Sequence, residues 1–204
     1  MTGLEIRDFA EEDIAPLRTI LEDEWQFTYY SKQNGLDMAG YYLLSCVDGS
    51  NVSKVVLKDG TVQGILVIRD ADGTTIDVSK QKAELLRKIE GDIGYGEFDT
   101  DMEALYGVYE TLASEYKKDD WAELRLLIVS KSARGSGSGL AMIREAAKES
   151  MARGKKGLFF FTDTDCNVGF YDHLGAVRVG ERTVTCMGVP LRVFGYYLTF
   201  ERLV

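Results

Sequence analysis

The chain is poor in the residues that build several common kinds of site. Among 204 residues there are one histidine, three cysteines and two prolines. So little histidine and cysteine argues against a histidine-rich zinc or haem centre and against a disulfide framework. The odd cysteine count (Cys46, Cys166, Cys186) fits a reducing compartment, in which each thiol is a small packed hydrophobe. Positive charge is short as well: 24 Lys and Arg stand against 33 Asp and Glu, for a net charge of −9. Gripping nucleic acid or an anionic membrane over a whole surface takes a basic face, so neither partner is expected. No apolar run nears the roughly 18 residues that span a bilayer. The stretch Met1-Thr-Gly-Leu-Glu-Ile-Arg7 lacks the basic-then-apolar order of a secretory signal, and the chain reads as cytoplasmic.

What is present is the balance of a globular protein: 45% hydrophobic, 28% charged and 11% aromatic residues. A chain of this length buries roughly 70% of its unfolded surface, and no long Pro- or Ser-rich linker divides it, so a single domain over 1–204 is expected. Leu4–Phe9 alternates as a strand and leads into a helix from about Glu11, with Ile14, Leu17, Leu21 and Trp25 on one face. A second helix is expected around 36–46. Val52–Lys58 and Thr61–Arg69 read as a hairpin across Asp59-Gly60, a pair that accepts positive φ. Residues 74–120 form a helical insertion between the third and fourth strands. One helix is expected over 79–90 and another opening on the capping box Thr100-Asp-Met-Glu103. Trp121–Val129 is a strand. A glycine-rich loop then enters a helix over 140–153, whose buried face is Leu140, Ile143, Ala147 and Met151. Gly157–Phe161, too uniformly apolar to be half exposed, is a central strand. A short helix capped by Asn167 and two terminal strands, about 176–185 and 192–201, close the chain across a Met187–Pro190 turn.

The loop Arg134-Gly-Ser-Gly-Ser-Gly139 carries the chemistry. A glycine-rich turn from strand to helix exposes backbone N–H groups at the positive end of a helix dipole, and both favour phosphate. The local charge agrees. From Lys131 to Lys156 seven basic residues stand against two glutamates, a local +5 that leaves −14 for the remainder. A Walker loop is excluded, because no Gly-Lys-Ser/Thr closes the turn. A dinucleotide-binding Rossmann turn, with Asp163 as the ribose acid, fails on architecture. Too little chain follows Asp163 to build that fold's further crossovers, and the strand end at Val129 lies too far from Gly135 for its tight turn.

Leu126-Leu-Ile-Val-Ser-Lys-Ser-Ala-Arg-Gly-Ser-Gly-Ser-Gly139 resembles the acetyl-CoA-binding signature of the GNAT superfamily of N-acetyltransferases. Arg134, Gly137 and Gly139 stand at its defining positions, with Ser136 and Ser138 where a lysine or a large apolar residue is commoner. Asn167-Val-Gly-Phe-Tyr-Asp-His-Leu-Gly175 resembles a second family segment, in which an asparagine caps a helix and a tyrosine precedes a Leu-Gly turn. The element order also fits, apart from the insertion. The resemblance implies an α/β (α+β) fold with a mixed, strongly twisted sheet of six to seven strands flanked by helices. It implies acetyl-CoA as cofactor, held by Leu127, Ile128, Val129, Arg134, Gly135, Ser136, Gly137, Ser138, Gly139 and Asn167.

It further implies a role for each part of the chemistry. An alkylammonium with a pKa near 10 must lose a proton before it attacks a thioester, the oxyanion needs donors, and the leaving thiolate needs a proton. Tyr171 is the implied donor to sulfur, and a backbone N–H near Val129, at a bulge splaying this strand from the next, the implied oxyanion donor. Glu123 is a candidate base, set against the alternative of a surface pair with Arg125 across one strand face that also holds Leu127. Asp163 and Asp165 are alternate bases. No metal is called for. Cys166 reads as a bystander and His173 as a helix-surface residue. The aromatic segment 25–46 and the insertion, both acidic and tyrosine-rich, are where a small-molecule or peptide amine, cationic in character, would be received. Tyr109 and Tyr116 lie on the insertion helix's apolar stripe and read as packing. An acyl-CoA-binding module without turnover is the rival of a different class, and a homodimer is left open.

Overall fold

The computed structural model describes residues 3–70 and 73–203. Met1 and Thr2 of the N-terminal stretch read above lie outside them. Seven strands form one sheet in the order β1-β2-β3-β4-β5-β7-β6. They are β1 (Leu4–Asp8), β2 (Val52–Lys58), β3 (Thr61–Arg69), β4 (Trp121–Val129), β5 (Gly157–Asp163), β6 (Val177–Cys186) and β7 (Val189–Thr199). Every neighbouring pair is antiparallel except β4 and β5, so the sheet is mixed. Helices α1 (Ile14–Trp25), α2 (Gly35–Val47), α3 (Ser79–Ile89) and α4 (Tyr95–Tyr116) accompany α5 (Ser138–Ala152) and α6 (Val168–His173).

Two apolar clusters fill the two sides of the sheet. Leu17, Leu21, Leu43 and Leu44 of α1 and α2 meet Ile65, Val67, Leu126 and Ile128. On the other face Met142, Ile143, Ala146 and Ala147 of α5 meet Leu66, Ile68, Ala122, Leu124, Leu158 and Phe160. Ile143 and Ala147 lie on the expected face of α5. Met151 instead reaches solvent at 44% exposure, and Met142, Ala146 and Ser150 take the buried positions. The buried stripe Met142, Ile143, Ala146, Ala147 and Ser150 keeps helical spacing but is centred one residue before the one read from the sequence, which leaves Met151 at its edge.

Both hairpins close on two residues with positive φ. Asp59 and Gly60 do so as expected, while Met187-Gly188 turns directly from Cys186 to Val189, tighter than the four-residue turn read from sequence. The insertion differs more. α4 begins at Tyr95, and Thr100 lies inside it, its hydroxyl donating to the Gly96 carbonyl at 2.8 Å. A threonine within a helix satisfies itself this way, which removes its value as a cap. The start is set by Asp92, which accepts from the Gly94 N–H at 2.8 Å, the Ser31 hydroxyl at 2.7 Å and Asn34 Nδ2 at 2.7 Å. These bonds pin the α3–α4 junction to the chain entering α2. A second clasp, with Asp101 accepting from Tyr30 Oη (2.8 Å) and the Met187 N–H (2.7 Å), fixes α4 to the β6–β7 turn. Leu105 and Leu112 then cover Leu191 and Val193.

Candidate active site

The sheet opens in its middle. β4 and β5 pair from Trp121–Gly157 to Leu124–Phe160 and no further. Beyond that point β4 keeps only β3, and β5 keeps only β7. The cause lies in β4. Val67 pairs with Leu126 and Ile68 with Leu124, so Arg125 is an extra residue in the ladder. A bulge bends its strand and reverses the facing of everything after it. Ala122 and Leu124 accordingly face α5, whereas Leu126 and Ile128 face α1 and α2. The bulge is therefore at Arg125, upstream of the expected position near Val129. Glu123, Arg125 and Leu127 do not share one face, since Leu127 turns with Val129 toward the α5 side.

The glycine loop sits at the mouth of this opening. Gly135 and Gly137 both take positive φ, 75° and 83°, values an L side chain resists. The N–H groups of Gly137, Ser138, Gly139 and Leu140 have no protein acceptor among the described residues and open α5. Free N–H groups at a helix start are a geometry that suits a phosphate. Gly139 also permits close approach: a Cβ there would stand 3.3 Å from the Phe170 ring of α6. Ser136 and Ser138 share a 2.6 Å hydroxyl contact.

Three of the seven basic residues of the island pair with acids outside its own window. Arg134 pairs with Glu24 at 2.5 Å, Arg153 with Asp70 at 2.5 Å and Lys156 with Asp120 at 2.8 Å. Lys131 donates to the Asp23 carbonyl at 2.8 Å. These acids offset three of the five net positive charges, and Lys131 and Arg134 tie the end of α1 to the loop.

A cavity of about 960 Å³ runs from the opening toward α4. Tyr171 projects into it from α6, its ring held by Phe160 (4.5 Å between centroids) and Phe170 (5.2 Å). Its hydroxyl has no protein hydrogen bond among the described residues, and burial pushes the phenol well above its usual value. Asn167 stands at the expected N-cap of α6, but it is exposed and its side chain makes no capping bond.

The acids divide by partner. Glu123 lines the cavity and pairs with Lys117 of the segment after α4 at 3.0 Å, not with Arg125. Asp163, at the end of β5, meets no cation among the described residues and accepts the Asp165 N–H at 2.9 Å. Burial raises its carboxyl above the ordinary aspartate range. Cys166 lies beside it, its thiol pushed up to about 12 by burial first and the Asp163 charge second. A thiol so held is a poor nucleophile. His173 is on the exposed surface.

The outer wall belongs to the insertion and the aromatic segment. Met102, Leu105, Tyr106, Tyr109 and Glu110 of α4 face Trp25, Phe27, Tyr30 and Tyr42 across the space. Tyr109 stacks on Phe161 at 4.5 Å and 6°, and Tyr116 covers Gly180, so both pack as expected while Tyr109 also lines the cavity. Sequence reasoning missed Arg69 as a lining residue and read Arg125 only as a surface partner. The signal was the alternation Glu123-Leu-Arg-Leu126, which stops at Leu127 just past the bulge.

No protein-family model and no curated protein sequence matches the chain. Solved structures do. A GNAT-family protein from Desulfovibrio desulfuricans superposes with a TM-score of 0.57 at 13% identity, over 97% of this chain and 99% of that one. The ribosomal-protein-S18-alanine N-acetyltransferase from Escherichia coli gives 0.56 at 12% identity, over 97% and 94%. The Salmonella typhimurium protein yncA, solved with its cofactor acetyl-CoA, gives 0.54 at 12% identity, over 97% and 94%. With the opened sheet and the glycine loop in place, this chain has the fold of the GNAT acetyltransferases.

Proposed function

We propose that the chain is an acetyl-CoA-dependent N-acetyltransferase that transfers the acetyl group to a primary amine by direct attack in a ternary complex. One observation carries this reading. One cavity joins the parted strands β4 and β5 to a tyrosine hydroxyl without a hydrogen-bond partner and a half-buried carboxyl without a counter-cation among the described residues. The residues fit the cofactor on chemical grounds. The N–H groups of Gly137, Ser138 and Gly139 suit a pyrophosphate, and the open edge of β4 at Leu127, Ile128 and Val129 suits an amide-bearing arm. Arg134, Gly135, Ser136 and Asn167 border the same path.

Acetyl-CoA, when bound, supplies the activated acyl group. Asp163 accepts the proton that the ammonium must lose, directly or through water, because burial brings its pKa toward the range where a base is effective. Glu123, tied to Lys117, is the weaker candidate for that role, and Asp165 is exposed. Backbone N–H groups on the open β4 edge stabilise the oxyanion. Tyr171, protonated throughout the neutral range, gives its proton to the departing sulfur. The acceptor enters past α4, where Glu110 and the tyrosines meet a positively charged amine.

The test is release of free CoA thiol from acetyl-CoA with a panel of amines, beside calorimetric titration of acetyl-CoA. Thiol release dependent on at least one amine is expected. Tight acetyl-CoA binding with no release from any amine would establish the binding-module reading instead.

A further inference from the structure

Arg69 ends β3 and Arg125 is the bulged residue of β4, and both line the cavity. Each spends one N–H on the end of α2: Arg69 Nη2 donates to the Asp48 carbonyl at 2.9 Å and Arg125 Nη2 to the Ser45 carbonyl at 3.4 Å. Capping the negative end of α2 accounts for that much. It leaves most of the five N–H donors of each guanidinium unspent. Among the described residues neither arginine has a carboxylate at ion-pair distance. Glu123, opposite Arg69 in the β3–β4 register, is taken by Lys117. The two cations also sense each other: burial lowers the Arg69 pKa first and the Arg125 charge lowers it further, against the Glu123 and Asp48 charges, which raise it. Two half-buried like charges with spare planar donors are a poor arrangement for stability alone and a good one for clasping an oxyanion.

We propose that Arg69 and Arg125 form a subsite for a carboxylate or phosphate carried by the acceptor, so that the substrate is an amine bearing an oxyanion and not a plain alkylamine or polyamine. This deepens the transferase reading and rests on it. The cavity then holds opposite charges of one molecule: the arginines take the anion, and Asp163 and Glu110 face the amine. From the aligned pair Leu124–Phe160, Arg125 is one residue onward and Asp163 three, a stagger of about 7 Å along the strands. The probes should therefore vary the distance between amine and anion.

The experiment compares matched amines with and without the anion: 4-aminobutyrate with butylamine, 6-aminohexanoate with hexylamine, lysine with cadaverine, and phosphoethanolamine with ethanolamine. Thiol release gives kcat/KM. Trp25, which lines the cavity, reports equilibrium binding by fluorescence with CoA present and no turnover. At least one anionic amine should exceed its plain partner at least tenfold in kcat/KM. Arg125→Gln and Arg69→Gln should each cut that ratio at least tenfold, and the carboxylate and phosphate arms tell which oxyanion is preferred. Plain amines equal to or better than every anionic partner in both readouts overturn the proposal. So do folded glutamine variants that lower both members of a pair equally. Anion binding that the variants abolish, without thiol release, upholds the subsite and removes the acyl-transfer reading instead.

Discussion

Replacing Tyr171 with Phe separates a chemical role for this residue from a packing role, because the structure divides its two parts. The ring touches Phe160, Phe170 and, at 6.3 Å between centroids, Tyr196, and every one of these contacts survives the substitution. The hydroxyl touches no protein acceptor among the described residues, so removing it leaves no buried group unsatisfied. Stability should then change by less than about 0.5 kcal/mol, which for a chain of this size moves the melting temperature by no more than about 2 °C. Loss of a positioned general acid costs about 10²- to 10⁴-fold in rate, equivalent to roughly 3–5 kcal/mol of barrier. Thiol-release kinetics, calorimetric acetyl-CoA affinity and thermal melting on one preparation make the comparison. The expected pattern is kcat down at least a hundredfold, with affinity and melting unchanged. Because burial raises the phenol's pKa, the wild-type rate should also show no alkaline fall from this group below about pH 10. A variant with full turnover would refute the proton-donor role. A loss of rate matched by a loss of folded protein would refute it too.

Asp163→Asn tests the base. The raised carboxyl is ionised only above its shifted pKa, so wild-type kcat/KM should fall on acidification at a pH above the usual aspartate value near 3.9, and the variant should lose that limb with most of the rate. The same shift means the folded chain holds this proton more tightly than the unfolded one. Its contribution to stability is present below the unfolded pKa and lost as pH rises through the folded pKa, so the variant should melt higher than wild type at neutral pH. Gly139→Val drives a branched side chain at the Phe170 ring and should weaken acetyl-CoA binding at least tenfold by calorimetry. Asp13→Ala removes a carboxylate that is 1% exposed, bound by Arg7 through two 2.7 Å contacts and by the Ala10 N–H at 2.8 Å. Arg7 is partly solvated, so the cost should be about 2–4 kcal/mol, read as a melting temperature lower by roughly 5–15 °C, with kcat per folded molecule unchanged.

Local signals were the ones a reader of the sequence could use. Asp59-Gly60, the alternation of β1 and the strand–glycine–helix join at residues 129–139 are encoded by neighbours in the chain, and each stands where the pattern puts it. The α4 start was misread because Thr100-Asp-Met-Glu103 fits a cap by spacing, whereas the helix boundary depends on Ser31 and Asn34 reaching Asp92 from distant positions. The +5 island was counted along the chain, but Glu24, Asp70 and Asp120 approach it in space.

The sequence by itself determined the order of the elements, the glycine loop between strand and helix, and the resemblance from which the role proposed for Tyr171 comes. Those properties depend on short-range backbone preference and on periodicity, which a single chain displays in order. The tertiary structure decided where the strands part, that Asp163 meets no counter-cation among the described residues, and that two arginines line one cavity. Each of these depends on a register, a burial or a charge contributed by residues far apart in the chain. One extra residue at Arg125 turned the face of β4, opened the sheet and placed a cation at the opening.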